Sequence, residues 1–171
     1  LRVDSHGAAV AAFTPIGTPA DQEVNVRKLV VTGPNAVAAP DHNLPLVLSD
    51  LDVLSGGILT HRPATETEIF SLMVQASGAV TVDAGSAVDV SGQGYLPGRT
   101  EGNRAVGAAT DAAGGSVLFN TRLLEGSGII SAAGAARPSS GGSGGAGDGD
   151  AGSVLVQTTP FIWWPHRSPA L

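Results

Sequence analysis

The chain has 171 residues, a net charge of −6 and a pI of about 5.0, and its composition is 42% apolar and 4% aromatic. This length suits one domain, whose core must be filled by Val, Leu, Ile and Ala because aromatic residues are scarce. The nine Lys and Arg residues are scattered and there is no cysteine, which argues against a nucleic-acid partner, a disulfide framework and a thiol site.

Residues 1–22 are predicted to form an N-terminal cap or edge segment. The run Ala8–Phe13 fits either one turn of helix or a strand, and Pro15 and Pro19 then interrupt any regular element. The presence of Leu1 in place of Met indicates a processed product or a piece of a longer protein.

Residues 23–157 are predicted to form a β-helix-like domain, followed by an aromatic C-terminal tail over residues 158–171. Short alternating or apolar runs are separated by turn-forming Gly, Pro, Asn and Asp, with almost no helical period, which indicates an all-β fold. Two loops, at 99–115 and 134–152, are predicted to leave the strands. The predicted strands cover residues 24–26, 29–32, 44–49, 51–54, 58–60, 69–75, 79–83, 87–91, 116–120, 128–132 and 153–157.

The central stretch Ser77–Gly98 carries two alternating strands with a shared pattern. Ala79–Asp83 and Ala87–Ser91 both read Ala-Val-x-Val followed by Asp or Ser. We interpret them as adjacent stretches of coil in a right-handed parallel β-helix, a solenoid in which Val and Leu stack on their equivalents in the next coil. The alternative is an antiparallel β-sandwich or jelly roll, which would require more tight hairpins and a more aromatic core.

The sequence Gly-Ser-Val-Leu occurs twice, beginning at Gly115 and at Gly152. Each copy follows a Gly-containing loop and leads into a strand. An imperfect repeat of this kind favours a solenoid, in which successive units have the same cross-section.

Four segments, 57–61, 72–74, 78–83 and 87–98, resemble the Gly-rich, β-helix-like repeats of very large secreted or surface proteins of bacteria, often found beside RHS/YD-type repeats. The resemblance covers residues 24–157, and its most specific piece is Val88–Gly98. It implies an extracellular or cell-surface location and a structural or adhesive role, with no catalytic residue to carry over. The loop after Gly98 has less Gly than such repeats, and the tail from Phe161 matches nothing in the pattern.

Asp83 and Asp89 are the candidate acids of an alternative, enzymatic function. Polysaccharide hydrolases built on a β-helix use carboxylates that project from one face. Strand parity places Val80 and Val82 inward and both acids outward, which also suits ordinary polar positions on a half-buried strand. No Arg, Lys or His of matching register accompanies them, so the sequence favours a chain that is not an enzyme.

The sequence Gly147-Asp148-Gly149-Asp150 is the candidate metal site. Its two carboxylates suit Ca²⁺, but the later acidic ligand of an EF-hand and the repeated nonapeptide of RTX rolls are both missing. The sequence favours a solvated turn over a Ca²⁺ site, and no other cofactor is predicted. The four His residues lie singly, without the spacing of a helical zinc site.

Tyr95, Trp163 and Trp164 are the candidate carbohydrate-binding residues, because flat aromatic faces stack on sugar rings. Tryptophans near a chain end also seal an exposed core edge or contact another chain. The sequence therefore predicts a non-enzymatic structural or adhesive segment. The alternatives are a polysaccharide-active enzyme or carbohydrate-binding module, and one chain of a multi-chain assembly.

The predicted partners are other segments of the same large protein, other chains of an assembly, or a polysaccharide. The absence of a basic cluster predicts no nucleic-acid partner. No apolar run approaches the roughly 20 residues of a membrane span, so no span is predicted.

Overall fold

The structure is a computed structural model that describes residues 1–8, 12–96, 113–134 and 151–158. These residues form eleven β-strands and no helix, which confirms the predicted all-β class. The strands are β1 (Arg2–Asp4), β2 (Thr14–Ile16), β3 (Val24–Thr32), β4 (Val37–Pro40), β5 (Leu46–Leu54), β6 (Ile58–Leu59), β7 (Leu72–Val82), β8 (Ala87–Asp89), β9 (Ser116–Gly126), β10 (Ile129–Ser131) and β11 (Ser153–Thr158).

The strands form two sheets, and the chain alternates between them. The long-strand sheet has the order β1-β3-β5-β7-β9-β11, and the short-strand sheet has the order β10-β8-β6-β4-β2. We call one long strand and the short strand that follows it a level. Each level lies beside the previous one in both sheets, so the order in sequence is also the order in space.

Every pairing between described strands is parallel. The antiparallel sandwich or jelly roll, which was the alternative fold, is therefore wrong. Parallel neighbours require the chain to travel to the other sheet and back between pairings. The loops and turns of this chain serve that return path instead of forming tight hairpins.

The core is made of aliphatic side chains stacked in register between levels. Val31, Val53 and Val82 are consecutive partners in the long-strand sheet and are at most 3% exposed. Leu29, Leu51 and Val80 form a second such ladder, completely buried. The predicted inward orientation of Val80 and Val82 is confirmed. The core is thus filled by small and branched residues, because aromatic residues are scarce, and these residues occupy equivalent positions in successive levels.

The in–out alternation shifts by one residue near the middle of the long strands β3, β5, β7 and β9. In β5, for example, Leu48 and Leu51 both face the core, and the two residues between them both face outward. β7 contains one residue more than its neighbours at this point, because its register shifts between Ala76 and Val80 against β5 and between Ala76 and Ala79 against β9. The Ser77–Gly78 segment is therefore a β-bulge.

The turns between long and short strands use left-handed backbone conformations. Asn35 has φ of 69°, Ser55 has φ of 53° and Gly85 has φ of 78°, and each lies in the turn after β3, β5 or β7. Successive turns are also linked, since the Gly56 N–H donates to Ser86 Oγ over 3.0 Å. The turn signals at 33–35 and 55–57 correctly predicted where the long strands end.

β7 and β8, which contain the two similar runs of the central stretch, belong to different sheets of one level and do not pair with each other. The two copies of the Gly-Ser-Val-Leu motif are aligned in the pairing of β9 with β11. Ser116, Val117 and Leu118 pair with Ser153, Val154 and Leu155.

The predicted N-terminal edge segment contains β1 and β2, which lie at one edge of the two sheets. The predicted loops at 99–115 and 134–152 and the tail fall mostly outside the described residues. Within the described ranges, no helix has the length and apolar character needed to cross a bilayer.

Candidate functional site

A groove of about 590 Å³ lies on the outer face of the long-strand sheet. It crosses β3, β5 and β7 and reaches β9, with three consecutive residues contributed by each of the first three strands. The groove is therefore longer across the strands than along them. Its outward-facing side chains are those of Asn25, Arg27, Val47, Ser49, Gln75, Ser77 and Asn120.

Amide side chains form one side of this groove. Asn25, Val47, Gln75, Asn120 and Gln157 are consecutive partners on β3, β5, β7, β9 and β11. We call these five residues the amide row. Neighbouring strands are about 4.8 Å apart, so the row presents one side chain at each such step along the stack. Each amide offers hydrogen-bond donors and an acceptor, while Val47 supplies one apolar contact.

A second row of outward residues lies two positions further along the strands. Arg27 lies between the paired residues Val26 and Lys28, and is therefore opposite Ser49. In the β7 bulge, Ser77 follows Ala76, the partner of Leu48 on one side and of Thr121 on the other. Arg122 immediately follows Thr121. We call Arg27, Ser49, Ser77 and Arg122 the arginine row.

The two arginines of this row differ from the other described cations. Five Arg and Lys residues lie in the described ranges, and the other three have partners. These are Arg2 with the Asp4 carboxylate at 2.7 Å, Lys28 with the Asp52 carboxylate at 2.6 Å, and Arg62 with the Asp41 carbonyl oxygen at 2.6 Å. Arg27 and Arg122 are exposed, and neither has an ion pair or hydrogen bond from its side chain among the described residues.

The carboxylates nearest the groove have partners of their own. Glu23 Oε1 accepts a hydrogen bond from Asn25 Nδ2 at 3.2 Å. Asp50 Oδ1 accepts one from the Ala79 N–H at 3.1 Å, which stabilises the bulge. The hydrogen bond from Lys28 to Asp52 raises the pKa of Lys28, so this neighbouring cation remains charged and paired. The lining of the groove itself contains one cation and no carboxylate.

The candidate acids Asp83 and Asp89 lie away from this groove. Asp83 is exposed in the turn after β7, where its Oδ1 accepts a hydrogen bond from the Ala84 N–H at 2.9 Å. Asp89 ends β8 in the short-strand sheet, and its Oδ1 accepts one from the Ser91 N–H at 2.9 Å. Both side chains thus stabilise local turns. A catalytic role for them stays a prediction.

The other predicted site residues are only partly within the described structure. Tyr95 is half-buried after β8, and its carbonyl oxygen accepts a hydrogen bond from the Ala113 N–H at 2.9 Å. Trp163 and Trp164 lie outside the described residues, as do Asp148 and Asp150. The aromatic platform and the Ca²⁺ site therefore stay predictions. In the described ranges, no three His, Asp or Glu side chains are grouped closely enough to hold a metal ion.

His61 is a buried histidine whose position the sequence did not reveal. It is 2% exposed, its Nδ1 lies 2.7 Å from the Arg62 carbonyl oxygen, and its Nε2 accepts a hydrogen bond from the Ser116 N–H at 3.3 Å. Burial lowers the pKa of His61, so the ring is neutral at pH 7. Its role in the described structure is to connect the loop after β6 to β9.

Arg62, beside it, also has a structural role. Its guanidinium lies over the rings of Phe13 and Phe70, at 5.9 and 5.6 Å from their centroids. These cation–π contacts, with the bond to the Asp41 carbonyl oxygen, hold together three loops that precede or follow short strands. Neither His61 nor Arg62 belongs to the groove.

The groove thus aligns outward polar side chains from four strands. None of its residues was a candidate from the sequence. In comparisons with known proteins, no family model matches the chain, and neither a curated protein nor a solved structure matches it.

Proposed function

We propose that this chain is a non-enzymatic structural or adhesive segment of a large secreted or cell-surface bacterial protein, built as a right-handed parallel β-helix. The observation that carries the proposal is the order of the strands. All odd-numbered strands are consecutive in one sheet and all even-numbered strands are consecutive in the other. Repeated crossovers between parallel strands of one sheet are right-handed in nearly all proteins, which supports the handedness.

The stacked levels support a structural role. In a solenoid each level contacts mainly its neighbours, so stiffness comes from repeated ladders such as Val31, Val53 and Val82. Six strands at a spacing of about 4.8 Å give a stack roughly 24 Å high. Such a segment holds the parts of a long protein at a fixed separation. Its main partners are other segments of the same protein, which lie outside the cell.

The chemistry of the groove supports an adhesive role over an enzymatic one. Its outward side chains are amides, hydroxyls, one valine and one arginine, which bind ligands well but offer no general acid or base at neutral pH. The two candidate acids stabilise turns elsewhere.

Methyl nuclear Overhauser effects and activity measurements on the purified chain test this proposal. We expect cross-peaks that link Val31 to Val53 and Val53 to Val82, and no release of reducing ends from neutral or acidic polysaccharides. A well-dispersed spectrum without these ladder cross-peaks would contradict the β-helix. Turnover that is lost in Asp83→Asn or Asp89→Asn, with unchanged thermal unfolding, would contradict the non-enzymatic function.

One chain of a multi-chain assembly is a second candidate, favoured by the exposed apolar residues of β11. Val154 and Val156 are partners of the buried Val117 and Phe119, yet they are 42% and 38% exposed. In the described structure β11 is the end strand of its sheet, and its apolar side chains would be buried by one more level. A concentration-independent monomer mass, unchanged in Val156→Asp, would contradict this candidate.

A further inference from the structure

We propose that the groove on the outer face of the long-strand sheet binds an extended acidic polysaccharide that lies along the stack axis. The sugar carboxylates contact Arg27 in the groove and Arg122 on β9, just beyond the groove lining, and the hydroxyls contact the side chains of the amide row. The inference names a ligand class for the adhesive role and rests on that proposed function.

The positions of the unpaired cations indicate an anionic ligand. Among the described cations, Arg27 and Arg122 are the two whose side chains have no partner oxygen. Both lie in the same outward row. Glu23 and Asp50, the nearest carboxylates, accept hydrogen bonds from Asn25 and from the Ala79 N–H. A guanidinium without a partner can bind a carboxylate through two parallel N–H···O hydrogen bonds.

The spacing of the strands that carry the two arginines suits an extended ligand. Arg27 is on β3 and Arg122 is on β9, three strand spacings apart, which is about 14 Å. A polymer with a carboxylate at regular intervals can contact both, with Ser49 and Ser77 between them as hydroxyl partners.

The amide row indicates that this polymer is a polysaccharide. Gln75 and Asn120 are consecutive partners, so their amides stand about one strand spacing apart. Amides donate and accept hydrogen bonds at once, as the neighbouring hydroxyls of a sugar ring do. Because these side chains project from paired strands, the backbone beneath them is ordered before the ligand binds, which lowers the entropic cost of binding.

The shape of the groove gives the direction of the ligand. Each of the first three strands contributes three consecutive residues, a width of about 7 Å, whereas the groove spans four strands. An extended chain therefore fits across the strands, parallel to the stack axis. It would lie with its carboxylates toward the arginine row.

The test is calorimetric titration of the full chain with two matched hexasaccharides at about 50 mM salt, where screening is weak. One is a β-1,4-linked mannuronic acid hexamer, and the other is the corresponding neutral mannose hexamer. We expect binding of the acidic hexamer that weakens as salt is raised, and at least about tenfold weaker binding of the neutral one.

Variants distinguish the two rows from general electrostatics. Arg27→Gln and Arg122→Gln should each weaken binding about threefold to tenfold, and Gln75→Ala by a similar factor. Arg2→Gln removes the same charge from the same sheet, outside the groove, and should leave the affinity unchanged. Thermal unfolding of each variant shows whether the fold is retained.

Four outcomes would overturn the inference: no binding of the acidic hexamer, equal binding of the neutral one, equal loss in Arg2→Gln, or equally tight binding of a poly-glutamate peptide. The last would assign the groove to an acidic protein partner. A chain that shows the ladder cross-peaks but binds no acidic sugar removes this inference alone, whereas a folded chain without those cross-peaks removes the proposed β-helix as well.

Discussion

The Ser116 N–H donates a hydrogen bond to Nε2 of His61 over 3.3 Å, although 55 residues separate the two in sequence. His61 follows β6 and Ser116 begins β9, so the bond connects the loop after β6 to the start of a strand two levels further along the stack. The other ring nitrogen is 2.7 Å from the Arg62 carbonyl oxygen. With the proton on Nδ1, both nitrogens have a partner, and the buried ring is satisfied only in its neutral form.

Because of His61, the stability of the chain should decrease as the pH becomes acidic. Burial places its pKa below the ordinary value of 6.5 in the folded chain. As the pH falls through 6.5, the unfolded chain gains a proton that the folded chain does not, so the free energy of unfolding decreases until the lower pKa is reached. Urea unfolding at about pH 7.5 and about pH 5.5 measures this decrease, which should be smaller in His61→Gln.

His6→Gln is the matched control for this pH dependence. The His6 side chain is 87% exposed, so its removal should leave the decrease in stability unchanged. An equal decrease in wild type and His61→Gln would show that other groups cause the pH dependence.

The two faces of the long-strand sheet should respond differently to one substitution. Val82→Asp places a carboxylate at a position that is 3% exposed and should cost about 3–5 kcal/mol or prevent folding. Val47→Asp makes the same change on the outer face, where Val47 lines the groove, and should cost less than about 1 kcal/mol. Thermal unfolding followed by circular dichroism compares them. Equal melting of both variants would show that the inward assignment of Val82 is wrong.

Gly115 should not tolerate a side chain, because neighbouring atoms leave no room for a Cβ. A Cβ at this position would collide with His61 Nε2 and would lie 2.9 Å from the Val90 carbonyl oxygen. Gly115→Ala should therefore cost about 1–3 kcal/mol through overpacking, and more if the His61 bond is lost.

Gly85→Ala separates this effect from backbone strain. Gly85 has φ of +78°, but no atom lies within 4 Å of the place that a methyl group would take, so alanine there should cost about 1 kcal/mol. Denaturant unfolding of both variants gives the comparison. A smaller loss for Gly115→Ala than for Gly85→Ala would contradict the packing argument.

The hydroxyl of Thr121 should stabilise the bulge in β7. Thr121 is 1% exposed, and its Oγ1 lies 3.1 Å from the Gly78 carbonyl oxygen and 3.0 Å from that of Leu123. Thr121→Val keeps the shape but removes the donor, which should cost about 1–3 kcal/mol. Thr121→Ser keeps the donor and serves as the control. If valine and serine were equally stable in urea unfolding, the hydroxyl would not support the bulge.

The main features of the fold could be predicted from local sequence. Turn signals such as Ser55-Gly56-Gly57 mark the ends of long strands, because left-handed conformations there favour Gly and Asn. The bulge was not predicted, because the sequence indicates two separate strands, 69–75 and 79–83, whereas β7 continues through the residues between them. Its extra residue is visible only against the neighbouring strands.

The groove could not be predicted for a related reason. Asn25, Gln75 and Asn120 are far apart in sequence, and they form a row only because of the register between strands. That register depends on the length of each connection, which varies from one level to the next. Asp83, Asp89 and the aromatic residues were the candidates instead, because their chemistry is recognisable without knowing their neighbours.

The two ends of the stack have different capacities for self-association. At one end, β1 carries the Arg2–Asp4 ion pair and β2 contains Pro15, whose nitrogen cannot donate, and charge and proline both discourage strand addition. At the other end, β11 exposes Val154, Leu155 and Val156. Among the described strands, strand addition is therefore favoured at the β11 edge over the β1–β2 edge, and two copies joined through β11 would form a two-fold pair.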